Sequence, residues 1–177
     1  MRASISALLS FVAIAAANPS DGPPDGDIIL TVGAGSSLEG HQLVGFASNG
    51  AGFPELVPAA EANESQSTWH LKFWNFGHFG WYAITSDIDG ATYQLDKQEG
   101  DDTYTGPFVF TPQTSYYSSD DIWYPKTASP VFTWFGNTDN FPFACTRDDG
   151  RIQLAIYGPD VHPENCEQVQ LEYQLIA

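Results

Sequence analysis

Residues 167–176 read EQVQLEYQLI. Val169, Leu171, Tyr173 and Leu175 alternate with Gln168, Gln170, Glu172 and Gln174, the period-two pattern of a strand with one buried and one wet face. Just upstream, RIQLAIY at 151–157 sets Ile152, Leu154 and Ile156 on one side, and Asp148-Asp149-Gly150 before it has hairpin-turn composition. Working back along the chain, further strand-like runs fall at 28–32, 42–47, 68–73, 80–85, 92–95, 108–111 and 131–135, separated by Gly, Pro, Asn and Asp. Helix signals are nearly absent; only PAAEA at 58–62 offers a turn or two, with proline at a tolerated first position. About nine short strands without helices predict an all-β, antiparallel β-sandwich in one domain. A barrel or a β-trefoil is the alternative, the trefoil disfavoured because three similar thirds do not align.

The N-terminal 17 residues, MRASISALLSFVAIAAA, carry one cation at Arg2, an apolar run from Ile5, and small residues at Ala15 and Ala17. This is the pattern of a secretory signal peptide cleaved after Ala17. The run is interrupted by Ser6 and Ser10 and is too short for a membrane span. The expected organisation is therefore a signal at 1–17, a Pro/Gly/Asp-rich leader at 18–27 and one β domain at 28–177. Removing the signal leaves five basic against 22 acidic residues, a net charge of −17. Such a chain is repelled by nucleic acid and by anionic membrane surfaces, so neither is an expected partner. With 42% hydrophobic and 14% aromatic residues it still has enough apolar material to fill a core. In an exported chain, Cys145 and Cys166 most simply form a disulfide that staples the last strands. Asn63-Glu64-Ser65 is the only N-x-[ST] sequon and makes Asn63 a candidate for an N-glycan.

Several chemistries lack their residues. Gly33-Ala34-Gly35 follows a β-rich run, but Leu38 stands where a dinucleotide turn needs its third glycine, and no helix pattern follows. There is no G-x-S-x-G elbow for a serine hydrolase. His41, His70, His78 and His162 are scattered, without HExxH or H-x-H spacing, and the expected mature start, Asn18, is not the histidine of a copper polysaccharide oxygenase. Asp87-Ile88-Asp89-Gly90 and Asp120-Asp121 fall short of a calcium loop and read as turns. No catalytic residue, metal or cofactor is nominated. Among the many carboxylates only Glu55, in an apolar setting, and Glu172 merit inspection as part of a glycosidase-like pair.

The aromatics form two clusters. Trp69, Phe73, Trp74, Phe76, Phe79, Trp81 and Tyr82 crowd a hairpin-like stretch with Asn75-Phe76-Gly77-His78 as its turn, and most are assigned to the core. Tyr116, Tyr117, Trp123 and Tyr124 lie around Ser118-Ser119-Asp120-Asp121, in a loop-like setting where rings beside carboxylates suit sugar stacking.

The order of segments LVGFASNGAGF at 43–53, FWNFGHFGWYAIT at 73–85, FACTRDDGRIQL at 143–154 and NCEQVQLEYQLI at 165–176 resembles an uncharacterised family of small secreted proteins of filamentous fungi, a domain of unknown function. It departs from that family at Thr146-Arg147-Asp148-Asp149, where a tryptophan-rich stretch is expected. The resemblance implies fungal origin, secretion and a β fold, and brings no catalytic residue. The expected function is that of a secreted, monomeric, non-catalytic protein acting at the cell surface or in the extracellular space, with cell-wall polysaccharide or a host extracellular protein as partner. A carbohydrate-binding module using Tyr116, Tyr117, Trp123 and Tyr124 is the alternative, and a small secreted hydrolase the third reading.

Overall fold

The computed structural model describes residues 26–45, 52–76, 79–88, 90–97, 106–112, 123–125, 131–134 and 141–176. The signal segment, residues 18–25 of the leader, and Tyr116 and Tyr117 lie outside these. In chain order the elements are β1 (Gly26–Val32), β2 (His41–Val44), β3 (Glu55–Pro58), α1 (Glu64–Ser67), β4 (Thr68–Phe76), β5 (Phe79–Ile88) and β6 (Ala91–Lys97). There follow β7 (Gly106–Pro112), β8 (Trp123–Pro125), β9 (Val131–Trp134), β10 (Phe141–Thr146), β11 (Ile152–Tyr157), β12 (Cys166–Gln168) and β13 (Leu171–Leu175). The all-β, antiparallel class expected from the sequence is the class observed. Among the described residues no helix is long and apolar enough to cross a membrane.

β1 organises the pairing. Its Ile28, Leu30 and Val32 are buried, alternating with more accessible residues, as period-two apolar spacing requires. One edge pairs with β13, from Ile28 opposite Leu175 to Val32 opposite Leu171. The other edge is shared: Gly26–Ile29 take β4, and Thr31 takes Gln42 of β2. β4 continues into a hairpin with β5, whose far edge divides between β8 at Tyr82 and β6 from Thr85 to Ile88. β8 pairs with β9 and β9 with β13, so pairing runs around a circuit β1–β13–β9–β8–β5–β4 and back to β1. The remaining strands meet at β11, which pairs with β10 on one edge and with β3 and β7 on the other. All thirteen belong to one hydrogen-bonded network.

The core gathers Ile28, Leu30, Leu43, Trp69, Ile84 and Leu171, all completely buried. Each such aliphatic side chain stabilises the fold by roughly 1.5–3 kcal/mol. Trp69 has a polar edge to satisfy, and its Nε1 donates to the Leu43 carbonyl at 3.0 Å, tying β4 to β2. Buried Ser86 is likewise paired, its Oγ donating to the Thr68 carbonyl.

The structure departs from the expected elements in identifiable ways. β1 begins at Gly26, so the last two leader residues are strand. Residues 59–61 form a turn closed by Glu61 N–H to the Pro58 carbonyl, and the only described helix starts later, at Glu64. The apolar alternation of 167–176 spans two strands because the chain changes partner: β12 pairs with β10, and β13 with β1. Between them Val169 N–H donates to the Pro142 carbonyl and Gln170 accepts from Gly33 N–H. Leu171 is sealed, whereas Leu175, expected on the buried face, is 47% exposed at the strand end. β3 and β10 were hidden by Pro58 and Pro142, residues that argue against strand interiors because they lack an N–H. β8 is three residues long, too short for a period-two signal.

Cys145 and Cys166 are directly paired positions of β10 and β12 and form a disulfide, with Cα atoms 4.0 Å apart. β12 is otherwise held by a three-residue ladder on β10. Closing a loop of this length is worth about 3 kcal/mol by chain entropy. We expect the C145S/C166S double variant to lose about that amount in urea unfolding, with the m-value reporting any change in compactness. A loss below about 0.5 kcal/mol would show that strand pairing alone holds β12 in place.

Candidate functional site

Three features of the described residues have functional chemistry. The first is an open depression of about 450 Å³ lined by Asn63, Glu64, Ser65, Thr68, His70 and Asp87. His70 projects here because it lies on the face of β4 opposite to buried Trp69 and Leu71. Its Nδ1 makes a hydrogen bond of 2.5 Å with Asp27 Oδ1, and its Nε2 faces Asp87 Oδ2 at 3.5 Å. Asp27 arrives on β1 opposite His70 in the register, and Asp87 comes from β5. Asp87 also accepts from Thr92 Oγ1 at 2.6 Å, so it braces the β5–β6 turn, where Gly90 adopts a φ of +80°. An imidazole between two carboxylates can bind hydroxyl groups or relay a proton. Among the described residues no group of three or more His, Cys, Asp or Glu side chains is arranged to hold a metal ion.

The second feature surrounds Glu55, whose side chain is only 7% exposed. Its Oε1 accepts from Arg151 Nη1 at 2.7 Å. Arg151 is itself clamped by Asp149, which accepts from its Nε and Nη2 at 2.9 and 2.8 Å and from its backbone N–H at 3.1 Å. Arg147 lies over the Phe53 ring with its guanidinium carbon 4.5 Å from the centroid, a cation–π contact. Its Nη1 is buried without a hydrogen-bond partner among the described residues. Burial pushes the Glu55 carboxyl above its ordinary value, against the opposing pull of Arg151 and Arg147. The hydrogen bonds from Arg151 hold the Asp149 carboxyl below its ordinary value.

The third feature is aromatic register. Trp134, Trp123, Tyr82 and Phe73 occupy directly paired positions across β9, β8, β5 and β4. Along the backbone, Tyr82 stands two positions before Ile84 of β5 and Phe73 two positions after Leu71 of β4. Trp74 is paired in register with Trp81, and Phe76 with Phe79, at even-numbered steps from His70 along β4 and from Asp87 along β5. Tyr124 falls beside Trp81, one register step from the Tyr82–Trp123 pair. Two of the four loop-like aromatics, Trp123 and Tyr124, are thus consecutive residues of β8, at register positions facing Tyr82 and Trp81 of β5.

The inspected pair Glu55 and Glu172 is not brought together. Glu55 belongs to the arginine cluster, while Glu172 lies over Gly33 and accepts from Gln170 Nε2 at 3.3 Å. A Cβ at Gly33 would meet the Glu172 carboxylate, so that glycine serves close packing of two strands and not a phosphate. Asn63 caps α1. Neither the His70 cluster nor the Trp74–Trp81 pair was nominated from the sequence. Residues 27, 70 and 87 have no diagnostic spacing, and the turn inferred at 75–78 would set Trp74 opposite Phe79, whereas the register sets Trp74 opposite Trp81. No protein-family model, curated protein or solved structure matches this chain.

The two shifted carboxyls act in separate pH windows. Glu55, raised from 4.5, contributes stability that is full below that value and lost as pH rises through its folded-state value. Asp149, lowered from 3.8, contributes above that value and loses its share as pH falls through its folded-state value. Between pH 7 and pH 4.5, therefore, Glu55 favours the acidic side. We expect wild type to gain stability relative to E55Q as pH falls across that range, measured from urea midpoints. A difference that stays constant, or shrinks in favour of E55Q, would refute the burial-dominated account.

Proposed function

We propose that this chain is exported and acts outside the cell as a non-catalytic carbohydrate-binding protein. The observation that carries the reading is the register that pairs Trp74 with Trp81 and brings Tyr124 to the neighbouring strand position, on the same two strands that bear His70 and Asp87. Flat rings stack on the apolar faces of sugar rings, the contact by which aromatic residues hold polysaccharides. The binding positions of this reading are Trp74, Trp81 and Tyr124. A net charge of −17 after signal removal disfavours polyanionic glycans, so the ligand class is a neutral or cationic polysaccharide. Export is supported by the signal-like residues 1–17 and by a disulfide of the kind that persists in oxidising compartments. The resemblance to secreted filamentous-fungal proteins adds a wall polysaccharide as a natural target.

The test is retention of the mature protein on insoluble β-glucan and chitin. W81A should weaken retention by about tenfold, equivalent to ~1.4 kcal/mol, while stability changes by less than about 0.5 kcal/mol. Wild-type protein that is not retained, or W81A retained equally well, would defeat the carbohydrate reading and favour a protein partner.

A further inference from the structure

We infer that Asn63 carries an N-linked glycan and that this glycan roofs the His70–Asp87 depression. The argument joins a sequence motif to a geometry. Asn63-Glu64-Ser65 is the acceptor sequon, and Asn63 is exposed immediately before α1. Its Oδ1 is engaged as the helix cap, accepting from Ser65 N–H and from Ser65 Oγ–H, each at 3.1 Å. The cap therefore depends on the oxygen, and the amide nitrogen Nδ2 is the atom left for attachment. A glycosylated asparagine keeps Oδ1, so the modification leaves the cap intact.

The transfer needs a donor of stated class, a lipid diphosphate-linked oligosaccharide. The anomeric C1–O bond of the donor breaks, Nδ2 bonds to C1 and gives up one proton, and the lipid diphosphate leaves with the bonding electron pair. Because the acceptor is read in the unfolded chain during export, the fold has only to accommodate the product. It does so at one place: Asn63 lines the same depression as Thr68, His70 and Asp87. The first sugar on Nδ2 starts at the rim of that depression, and its hydroxyls meet an imidazole flanked by two carboxylates. The glycan thus shields His70 from solvent reagents. The inference rests on the export half of the reading above and not on carbohydrate binding.

The experiment expresses the full 177-residue chain in a yeast secretory host and analyses the protein from the medium. Intact mass should show an oligosaccharide that peptide N-glycosidase removes, converting the linked asparagine to aspartate. S65A should abolish the mass shift while Asn63 Oδ1 still caps α1 through the residue-65 N–H, so its thermal midpoint should stay near that of the stripped wild type. Peptide-resolved carbethoxylation should modify His70 several-fold more slowly in the glycosylated than in the stripped protein, with His162, exposed elsewhere, as the internal reference. Secreted protein starting at Asn18 but bearing no glycan overturns the inference while leaving export standing. Unprocessed, retained protein overturns both. A glycan that leaves His70 reactivity unchanged overturns the roofing.

Discussion

The rest of the structure depends on β1 being hydrogen-bonded along both edges while one of its faces is sealed. Its far edge receives the end of the chain, from Ile28 opposite Leu175 to Val32 opposite Leu171. Its near edge receives β4 and β2 in succession, so one strand satisfies the backbone groups of three neighbours. Ile28, Leu30 and Val32 then supply the apolar surface on which Leu43, Trp69 and Leu171 pack. Slipping this register by one residue would turn that face to solvent. The fork at β1 also decides where polar chemistry gathers, because it lays Asp27 directly opposite His70 on β4.

Charge is distributed unevenly in this acidic chain. The arginines outside the N-terminal segment, Arg147 and Arg151, both lie in the turn between β10 and β11. There they neutralise Glu55 and Asp149 rather than face solvent as isolated cations. The disulfide pairs β12 with the end of β10 beside the same turn. The C-terminal region is thus secured by a covalent link and an ion cluster beside the six-pair β10–β11 ladder. Burial of Glu55 opposes its ion pair and favours the acidic side of neutrality, in keeping with a surface crowded with carboxylates whose repulsion is relieved by protonation.

Strand periodicity was legible wherever one face is buried throughout. Ile28, Leu30 and Val32 follow the alternation read from the sequence, whereas β11 buries Gln153 and Ala155 together with Leu154 and Ile156. It was misleading at 167–176, where an unbroken alternation crosses a change of partner, and silent at β8. The candidate site was legible only in part. The sequon and the cysteines announce themselves by residue type. The register that aligns the aromatics requires the pairing of β4, β5, β8 and β9, and the β5–β8 contact that joins the two local hairpins is not local in sequence.

By itself, the sequence determined an all-β chain, a disulfide from its two cysteines and a single glycosylation motif, because each is written in residue types or in spacings of a few positions. The tertiary structure decided which strands pair, and with that how His70 meets Asp27 and Asp87, and how Arg151 meets Glu55. Those contacts join residues as far apart as 28 and 175, and β pairing over such separations is set by how the whole apolar surface is best buried, which no local pattern encodes.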